Sequence, residues 1–322
     1  MPEAPGTHIP LVSVVIPTHN RPSQLARCLA SIAAAEAPGP IEVVIVDDGG
    51  SVSLEPIVEP LRDSIGAILV RKPQAGPGAA RNLGIARARG RYILFTDDDC
   101  ALDEGAIVAF VDGLATAPGA IVGGRTINAL PGNPFASASQ AIVDAVYAYN
   151  NSDPADAHFL ASNNMAVERS ALLACSGFDE RFTGAAEDRE LCDRWRHRGG
   201  RLVYRPEAVI YHAHDLRLGS FVRQHRAYGR GAYAYHRVRA ARGSGRMRDD
   251  LRFHAGLPVQ LLSSARQVPV GSAARGAALA IVWQAVNAAG WAEAAATDRK
   301  QQLSERLPRR GAGGSPLGPP SA

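Results

Sequence analysis

Four short segments of this chain are apolar at nearly every position, where a half-exposed strand would be apolar at every second one. They are "LVSVVIP" (Leu11–Pro17), "IEVVIV" (Ile41–Val46), "AILV" (Ala67–Val70) and "YILF" (Tyr92–Phe95). A strand that is apolar on both faces has to be covered on both. The segments between them have helical spacing. In "PSQLARCLASIAAA", Leu25, Cys28, Leu29 and Ile32 share a face. "GAARNLGIARARG" (Gly78–Gly90) reads as a helix with a glycine stop, and "EGAIVAFVDGL" groups Ile107, Val108, Val111 and Leu114 behind Asp103 as the expected N-cap. Strands of this kind alternating with helices predict an α/β fold. Its centre is a Rossmann-like, mostly parallel sheet with helices on both faces.

In such sheets ligands bind beyond the carboxyl ends of the strands. The polar clusters fall there: "PTHNR" after the first strand, "DDGG" after the second and "TDDDC" after the fourth. The last is the most informative. Asp97, Asp98 and Asp99 close a core strand with no Lys or Arg between them. Adjacent carboxylates repel unless positive charge sits among them, and a hard divalent cation, Mg²⁺ or Mn²⁺, supplies it through oxygen ligands. Continued strand geometry would point Asp97 and Asp99 one way and Asp98 the other. Asp47 and Asp48 in "VDDGG" are a common turn pattern whose interest comes from lying at the same sheet end. "GPGAARNLG" (Gly76–Gly84) opens a helix whose amides can meet an anion. It is neither a dinucleotide fingerprint nor a Walker loop. Glu187 and Asp188 begin a helix, where they serve either as first-turn acids or as a general base. His212, at the end of a strand in "IYHAH", is a metal ligand or a core histidine.

The second half is less regular. "RLVYR" and "AVIYHAH" read as two strands, Leu216 to about Arg239 as a helix, "ARGSGRMRDD" as a linker, and Leu257–Ala296 as Ala-rich and apolar. The four cysteines, Cys28, Cys100, Cys175 and Cys192, lie far apart and match neither a zinc pattern nor a disulfide framework. With no signal-peptide pattern and no apolar run long enough for a confident membrane span, a cytoplasmic location is expected. The net charge of +4 hides an arginine-rich block from Arg217 to Arg252. That block is either a solvated helix face or a surface for an anionic partner, including peripheral contact with the cytoplasmic membrane face. Nucleic acid is not among the expected partners.

Five stretches, "VSVVIPTHNR", "EVVIVDDGG", "GPGAARNLG", "YILFTDDDC" and "GAAEDRELCDRW", occur in the order and approximate spacing of family 2 glycosyltransferases. The chain resembles that family from Leu11 to His212. The resemblance implies the A-type glycosyltransferase fold and transfer of a sugar from a nucleotide diphosphate donor, with inversion. It implies that Pro17, Thr18, Asn20 and Arg21 lie near the nucleotide. Asp47 and Asp48 would then sit beside the base, Arg81 and Asn82 would face the nucleotide, and Asp97 would lie near the ribose, with Asp98 beside it. Asp99 would be the metal-binding acid, joined by His212. Asp188 would be the base that deprotonates the acceptor hydroxyl, with Glu187 contacting the acceptor. UDP is the default nucleotide from family frequency. The acceptor class stays open among saccharide, lipid-linked and small-molecule hydroxyls. No Q-x-x-R-W motif follows "EDRELCDRW" and flanking membrane helices are missing, so single-sugar, non-processive transfer is expected.

The expected organisation is an N-terminal tail (1–10) and a catalytic domain (11–215) with a nucleotide-sugar half (11–125) and an acceptor half (126–215). A C-terminal helical region (216–305) and a disordered tail (306–322) follow. Two other functions fit part of the pattern. A sugar-phosphate nucleotidyltransferase normally has a glycine-rich basic loop after the first strand, where this chain has "PTHNR". A nucleotide-sugar-binding protein without catalysis would have no need of Asp97, Asp99 and Asp188 together.

Overall fold

The computed structural model describes residues 9–245, 256 and 270–306. Its strands are β1 (Val12–Thr18), β2 (Ile41–Asp48), β3 (Ala67–Lys72), β4 (Tyr92–Thr96), β5 (Cys100–Leu102), β6 (Ile121–Asn128), β7 (Asn164–Glu168) and β8 (Leu202–His212). The helices are α1 (Pro22–Ala34), α2 (Glu55–Val58), α3 (Arg62–Ile65), α4 (Pro77–Arg87), α5 (Ala106–Thr116), α6 (Pro134–Asn150), α7 (Arg169–Ala174), α8 (Glu187–His197), α9 (Leu218–Arg242) and α10 (Val270–Arg306). The strands form one sheet in the order β3-β2-β1-β4-β7-β6-β8-β5. β1 pairs in parallel with β2 and β4, and β6 with β8; β7 and β5 run antiparallel to their neighbours.

The uniform apolarity of the first strands has the expected consequence. Val14, Ile16, Val43 and Ile45 pack on one face against Leu25 and Leu29 of α1 and Phe110 of α5. Val15, Val44, Ile93 and Phe95 pack on the other against Ile85 of α4 and Leu191 and Trp195 of α8. Each strand therefore removes both its faces from water, worth roughly 1.5–3 kcal/mol for each fully buried large aliphatic side chain. The chain runs outward from β1 through β2 to β3, then returns to β4 on the other side of β1. That reversal opens a crevice at the carboxyl ends of β1 and β4.

Several local expectations differ from what forms. The three acids do not continue a strand. Asp97–Asp99 make a turn, closed by the Cys100 amide donating to the Asp97 carbonyl at 3.1 Å. Strand alternation therefore does not orient them. The chain then enters β5, three residues whose pairing with β8 sets Cys100 opposite His212. So short a strand has no sequence signature; it exists because of its distant partner. Asp103 is not the N-cap of α5, which is Gly105, although the Asp103 carboxylate accepts a bond from the Tyr211 hydroxyl at 3.2 Å. Ala106, Ile107, Phe110 and Leu114 form the buried side of α5, while Val108 and Val111 are only half-buried. The two strands expected around Pro206 are one, because the pairing of β6 with β8 jumps a register between Gly124 and Arg125. Proline has no amide for the ladder, and the jump passes over it. α6 was not anticipated, although Asn133 caps it, accepting from the Phe135 and Ala136 amides at 3.0 and 3.2 Å.

The C-terminal helices pack onto this frame. Ile142 and Val146 of α6, Phe221 of α9 and Trp283 of α10 form a separate apolar cluster. Close packing of α9 on α10 depends on two glycines. A Cβ at Gly290 would lie 2.1 Å from the Arg226 carbonyl oxygen, and one at Gly229 would lie 2.0 Å from that of Asn287. Gly290→Ala is therefore expected to force the helices apart and to cost about 1–3 kcal/mol, as overpacking does. Chemical denaturation checks it; an unchanged midpoint would contradict the packing. The arginine block also acquires partners. Arg226 and Arg230 pair with Glu293, Arg237 with Asp298, and Arg239 and Arg242 with Asp193. Arg246, Arg248 and Arg252, the end of the expected linker, and the final tail lie outside the described residues. Among the described residues no helix is long and apolar enough to cross a membrane. All four cysteines are buried and free.

Candidate active site

A cavity of about 880 Å³ opens where β1 and β4 end. The Thr18 hydroxyl, at the end of β1, donates to Asp98 at 2.8 Å and so ties the two strand ends together. Arg21, one turn further on, donates to both Asp98 (3.1 Å) and Asp99 (3.0 Å). β5 brings His212 to the same corner, with its Nε2 3.2 Å from the Asp99 carboxylate. Burial alone would raise the Asp99 pKa, but the His212 hydrogen bond and charge, with Arg21, outweigh it and hold Asp99 below its ordinary value. His212 is correspondingly raised: burial opposes its charge, but bonding to Asp99 prevails. Asp98 has no such imidazole, and burial pushes it up to about 6 against Arg21 and Thr18.

The opposite wall is organised by Arg81, whose residue is only 2% exposed. Burying an unpaired guanidinium would cost several kcal/mol. Here it donates to Asp97 at 2.7 Å and to Glu187 at 2.9 Å, and so connects the acid turn to the start of α8. Its Nε has no hydrogen-bond partner among the described residues. Asp188 lines the cavity next to Glu187. Burial raises the pKa of both. The neighbouring Asp188 adds to the rise of Glu187, while the Arg189 amide and guanidinium and Arg81 restrain that of Asp188. A carboxylate raised in this way gains strength as a base. The preceding residue, Ala186, has φ 73°, a left-handed conformation costly for a side chain with a Cβ. It turns the chain abruptly into α8 so that the two acids face inward.

On the β2 side, the Asp48 carboxylate accepts from Lys72 Nζ (2.7 Å) and from the Ala75 and Gly76 amides (2.9 and 2.8 Å). Burial alone would raise its pKa; these donors outweigh it and hold it low. Gly76 has φ 94°, and a Cβ there would lie 2.6 Å from the Thr183 carbonyl, so only glycine fits. Pro17, Thr18, Arg21, Asp48, Arg81, the three acids, Glu187, Asp188 and His212 all line the one cavity. Three expected site residues do not line it. Asn20 accepts from the Ser51 and Val52 amides, Asp47 from the Gly50 amide, and both hold the loop behind the wall. Asn82 exchanges hydrogen bonds with the Phe178 backbone at 2.9 and 2.8 Å and donates to Glu180.

Other residues also line the cavity. His214 stacks on His212 at 4.7 Å and falls to a pKa of about 4 through burial and the neighbouring imidazole. A further wall comes from α6, α9 and α10, through Gln140, Gln224, His225, Tyr228, Trp283 and Asn287. His225 is buried, with Nε2 3.2 Å from the Ser139 hydroxyl. The spacing of His214 two residues after His212 was visible; the helical wall was not, because its residues converge only through packing.

The corner at Asp99 fits a divalent cation. Ligand atoms of Asp99, Cys100 and His212 lie within 4.8 Å of one another. The Cys100 thiol is buried and its pKa is well raised, so it stays protonated and is no partner for a hard ion. Carboxylate and imidazole remain, a set suited to Mn²⁺ or Mg²⁺ completed by phosphate oxygens.

Comparison with known proteins agrees with this arrangement. The model of "Glycosyl transferase family 2" matches residues 13–174, half of the chain. The chain belongs to glycosyl transferase family 2. It is 27% identical over 230 residues to a pre-mycofactocin glycosyltransferase of Mycobacterium tuberculosis, an alignment covering 69% of this chain and 46% of that protein. The chain thus spans about half the length of that curated relative. A 102-residue match, 31% identical, joins it to the GalNAc(5)-diNAcBac-PP-undecaprenol beta-1,3-glucosyltransferase of Campylobacter jejuni and covers 31% of this chain and 33% of that one. Among solved structures, the mannosyltransferase PcManGT of Pyrobaculum calidifontis, in complex with GDP-Man and Mn²⁺, superposes with a TM-score of 0.61 at 20% identity, over 94% of this chain and 89% of that one. S. aureus TarS in complex with UDP-GlcNAc gives 0.51 at 17% identity, over 90% and 92%. These last two likenesses establish the A-type glycosyltransferase fold for this family 2 chain.

Proposed function

We propose that this chain transfers one sugar from a nucleotide diphosphate sugar to an acceptor hydroxyl with inversion, using Mn²⁺ or Mg²⁺. The observation that carries the reading is that the Asp99–His212 pair and Asp188 open onto the same cavity from different walls. The donor occupies the side formed by the ends of β1, β2 and β4. Asp99 and His212 would hold the metal, which when bound would offset the charge of the departing diphosphate. Arg21 holds Asp98 and Asp99 in place; Arg81 does the same for Asp97 and Glu187. Asp188 accepts the proton of the acceptor hydroxyl. The acceptor oxygen then forms a bond to the anomeric carbon while the bond from that carbon to the diphosphate breaks on the opposite side. The nucleoside diphosphate departs with the electron pair. UDP and GDP are both represented among the solved relatives.

The test is a donor screen. Thermal shift with UDP-GlcNAc, UDP-glucose and GDP-mannose in Mn²⁺ is expected to select one nucleotide, since a ligand bound only to the folded state raises its stability by mass action. Release of free nucleotide from that donor sugar should require the metal and stop in EDTA. Turnover undiminished by EDTA would refute the metal assignment. Pyrophosphate formation from a sugar phosphate and a nucleoside triphosphate would instead indicate a nucleotidyltransferase. Tight binding without turnover would indicate a binding protein.

A further inference from the structure

The charges lining the cavity are unevenly distributed. Every acid that reaches it, Asp48, Asp97, Asp98, Asp99, Glu187 and Asp188, comes from the strand ends or from the first turn of α8. The walls supplied by α6, α9 and α10 contribute none. Of the four arginines that line it, Arg21 and Arg81 are matched to those acids. Arg189 and Arg223 have no ion pair among the described residues. The contrast within α9 is sharp: its other five arginines are each ion-paired, to Glu293, Asp298, Glu190 or Asp193. Arg223 is the one that faces the cavity, and it is exposed. Arg189 lies over the Phe159 ring at 5.4 Å, a position that leaves its donors free while an aromatic face supports its charge.

We propose that these two arginines bind an anionic group on the acceptor, so that the chain glycosylates an acceptor carrying a phosphate or a carboxylate. The proposal rests on the donor and acceptor sides assigned above. On that reading the donor diphosphate would take its counter-charge from a metal held by Asp99 and His212. The two lining cations without an acid partner among the described residues, Arg189 next to Asp188 and Arg223 on α9, therefore remain for the second substrate. The same wall offers Gln224 and Tyr228, whose side chains bond to each other at 2.7 Å, and the Trp283 ring, groups that suit the hydroxyls and faces of a sugar. His225 adds a buried imidazole, 2% exposed, whose Nδ1 has no hydrogen-bond partner among the described residues. A guanidinium matches a phosphate or carboxylate with two parallel hydrogen bonds, so these positions should discriminate by charge as well as shape. Two sources share this chemistry, the phosphate of a lipid carrier and the carboxylate of an acidic sugar.

The experiment uses probe pairs differing in charge: geranyl phosphate with geraniol, glucose 6-phosphate with glucose, and methyl glucuronide with methyl glucoside. Binding to the full chain is followed by calorimetry and by tryptophan fluorescence, to which Trp283 contributes from the cavity wall. EDTA is present, so that no metal draws the anions to the donor side. At least one anionic member should bind roughly tenfold or more tighter than its neutral counterpart, in line with a charge-assisted bidentate contact. Preference for geranyl phosphate would identify a lipid phosphate as the source, and preference for the glucuronide an acidic sugar. Arg223→Gln and Arg189→Gln should each remove most of that preference, and Arg223→Lys should restore part of it. Neither side chain is buried, so the variants should keep the wild-type melting temperature. UDP or GDP binding in Mn²⁺ should be unaffected by Arg223→Gln. Equal binding within every pair, or a preference that both substitutions leave intact, would overturn the proposal. So would a loss of nucleotide affinity in Arg223→Gln as large as the loss for the anionic probe, which would place this arginine on the donor phosphates. Because the probes need no nucleotide sugar, failure of the donor screen would reject the glycosyltransfer reading and leave this charge preference to be judged separately.

Discussion

Asp188→Asn is expected to lower turnover by roughly 10²–10⁴, the range for removing a general base. The substitution keeps the size of the side chain and its place at the start of α8, where Asp188 accepts from the Arg189 amide at 2.8 Å. The amide that replaces it has no basic oxygen able to take the acceptor proton. Donor affinity should be retained, because Asp188 makes no hydrogen bond or ion pair with Asp99 or His212. Single-turnover kinetics at saturating donor separate the two effects. Collapse of nucleotide affinity with unchanged turnover would reverse the roles given to the two walls. Glu187 is a less clean target. It accepts from buried Arg81 at 2.9 Å, so its loss leaves a guanidinium half-paired in the protein interior.

Asp99→Ala should be comparably damaging for a different reason. It removes the carboxylate from the Asp99–His212 pair, and with it the charge compensation at the leaving group, worth several kcal/mol. Each 1.4 kcal/mol is a factor of ten, so a loss on the order of 10³ in turnover is expected. The metal titration should change in parallel: half-maximal activation should require far more Mn²⁺. The fold should survive, because Thr18 still donates to Asp98 and Arg21 still has Asp98 as partner. A variant with wild-type turnover and an unchanged Mn²⁺ requirement would remove Asp99 from the metal site.

These two residues reach one cavity by different routes. Asp188 is placed locally: a left-handed Ala186 turns the chain and the helix begins. Asp99 is placed by sheet topology. It joins β4 to β5, and β5 stays in the sheet only through its pairing with β8, which also carries His212. Changes in β5 or β8 should therefore affect the metal corner before they affect Asp188.

The sequence alone determined the parts that repeat over short distances. Uniformly apolar strands required cover on both faces, and α1, α4, α5 and α8 provide it. Polar residues just after β1, β2 and β4 had to emerge at one end of the sheet, since parallel strands place their carboxyl ends together. That was sufficient to locate Thr18, Arg21, Asp48 and the three acids at one opening. Tertiary structure decided what depends on distant pairing. Asp97, Asp98 and Asp99 lie in a turn, so their directions follow from Arg81, Thr18, Arg21 and His212, not from strand alternation. Asn20, Asp47 and Asn82 are near the site in sequence, but their side chains satisfy neighbouring backbone and do not line the cavity. The wall of α6, α9 and α10 was illegible for the same reason. Periodicity specifies which face of a helix is buried, but the partner that buries it is chosen by packing across the whole chain. Ion pairing likewise separated Arg223 from the other arginines of α9, because their acids lie on α8 and α10, far away in the sequence.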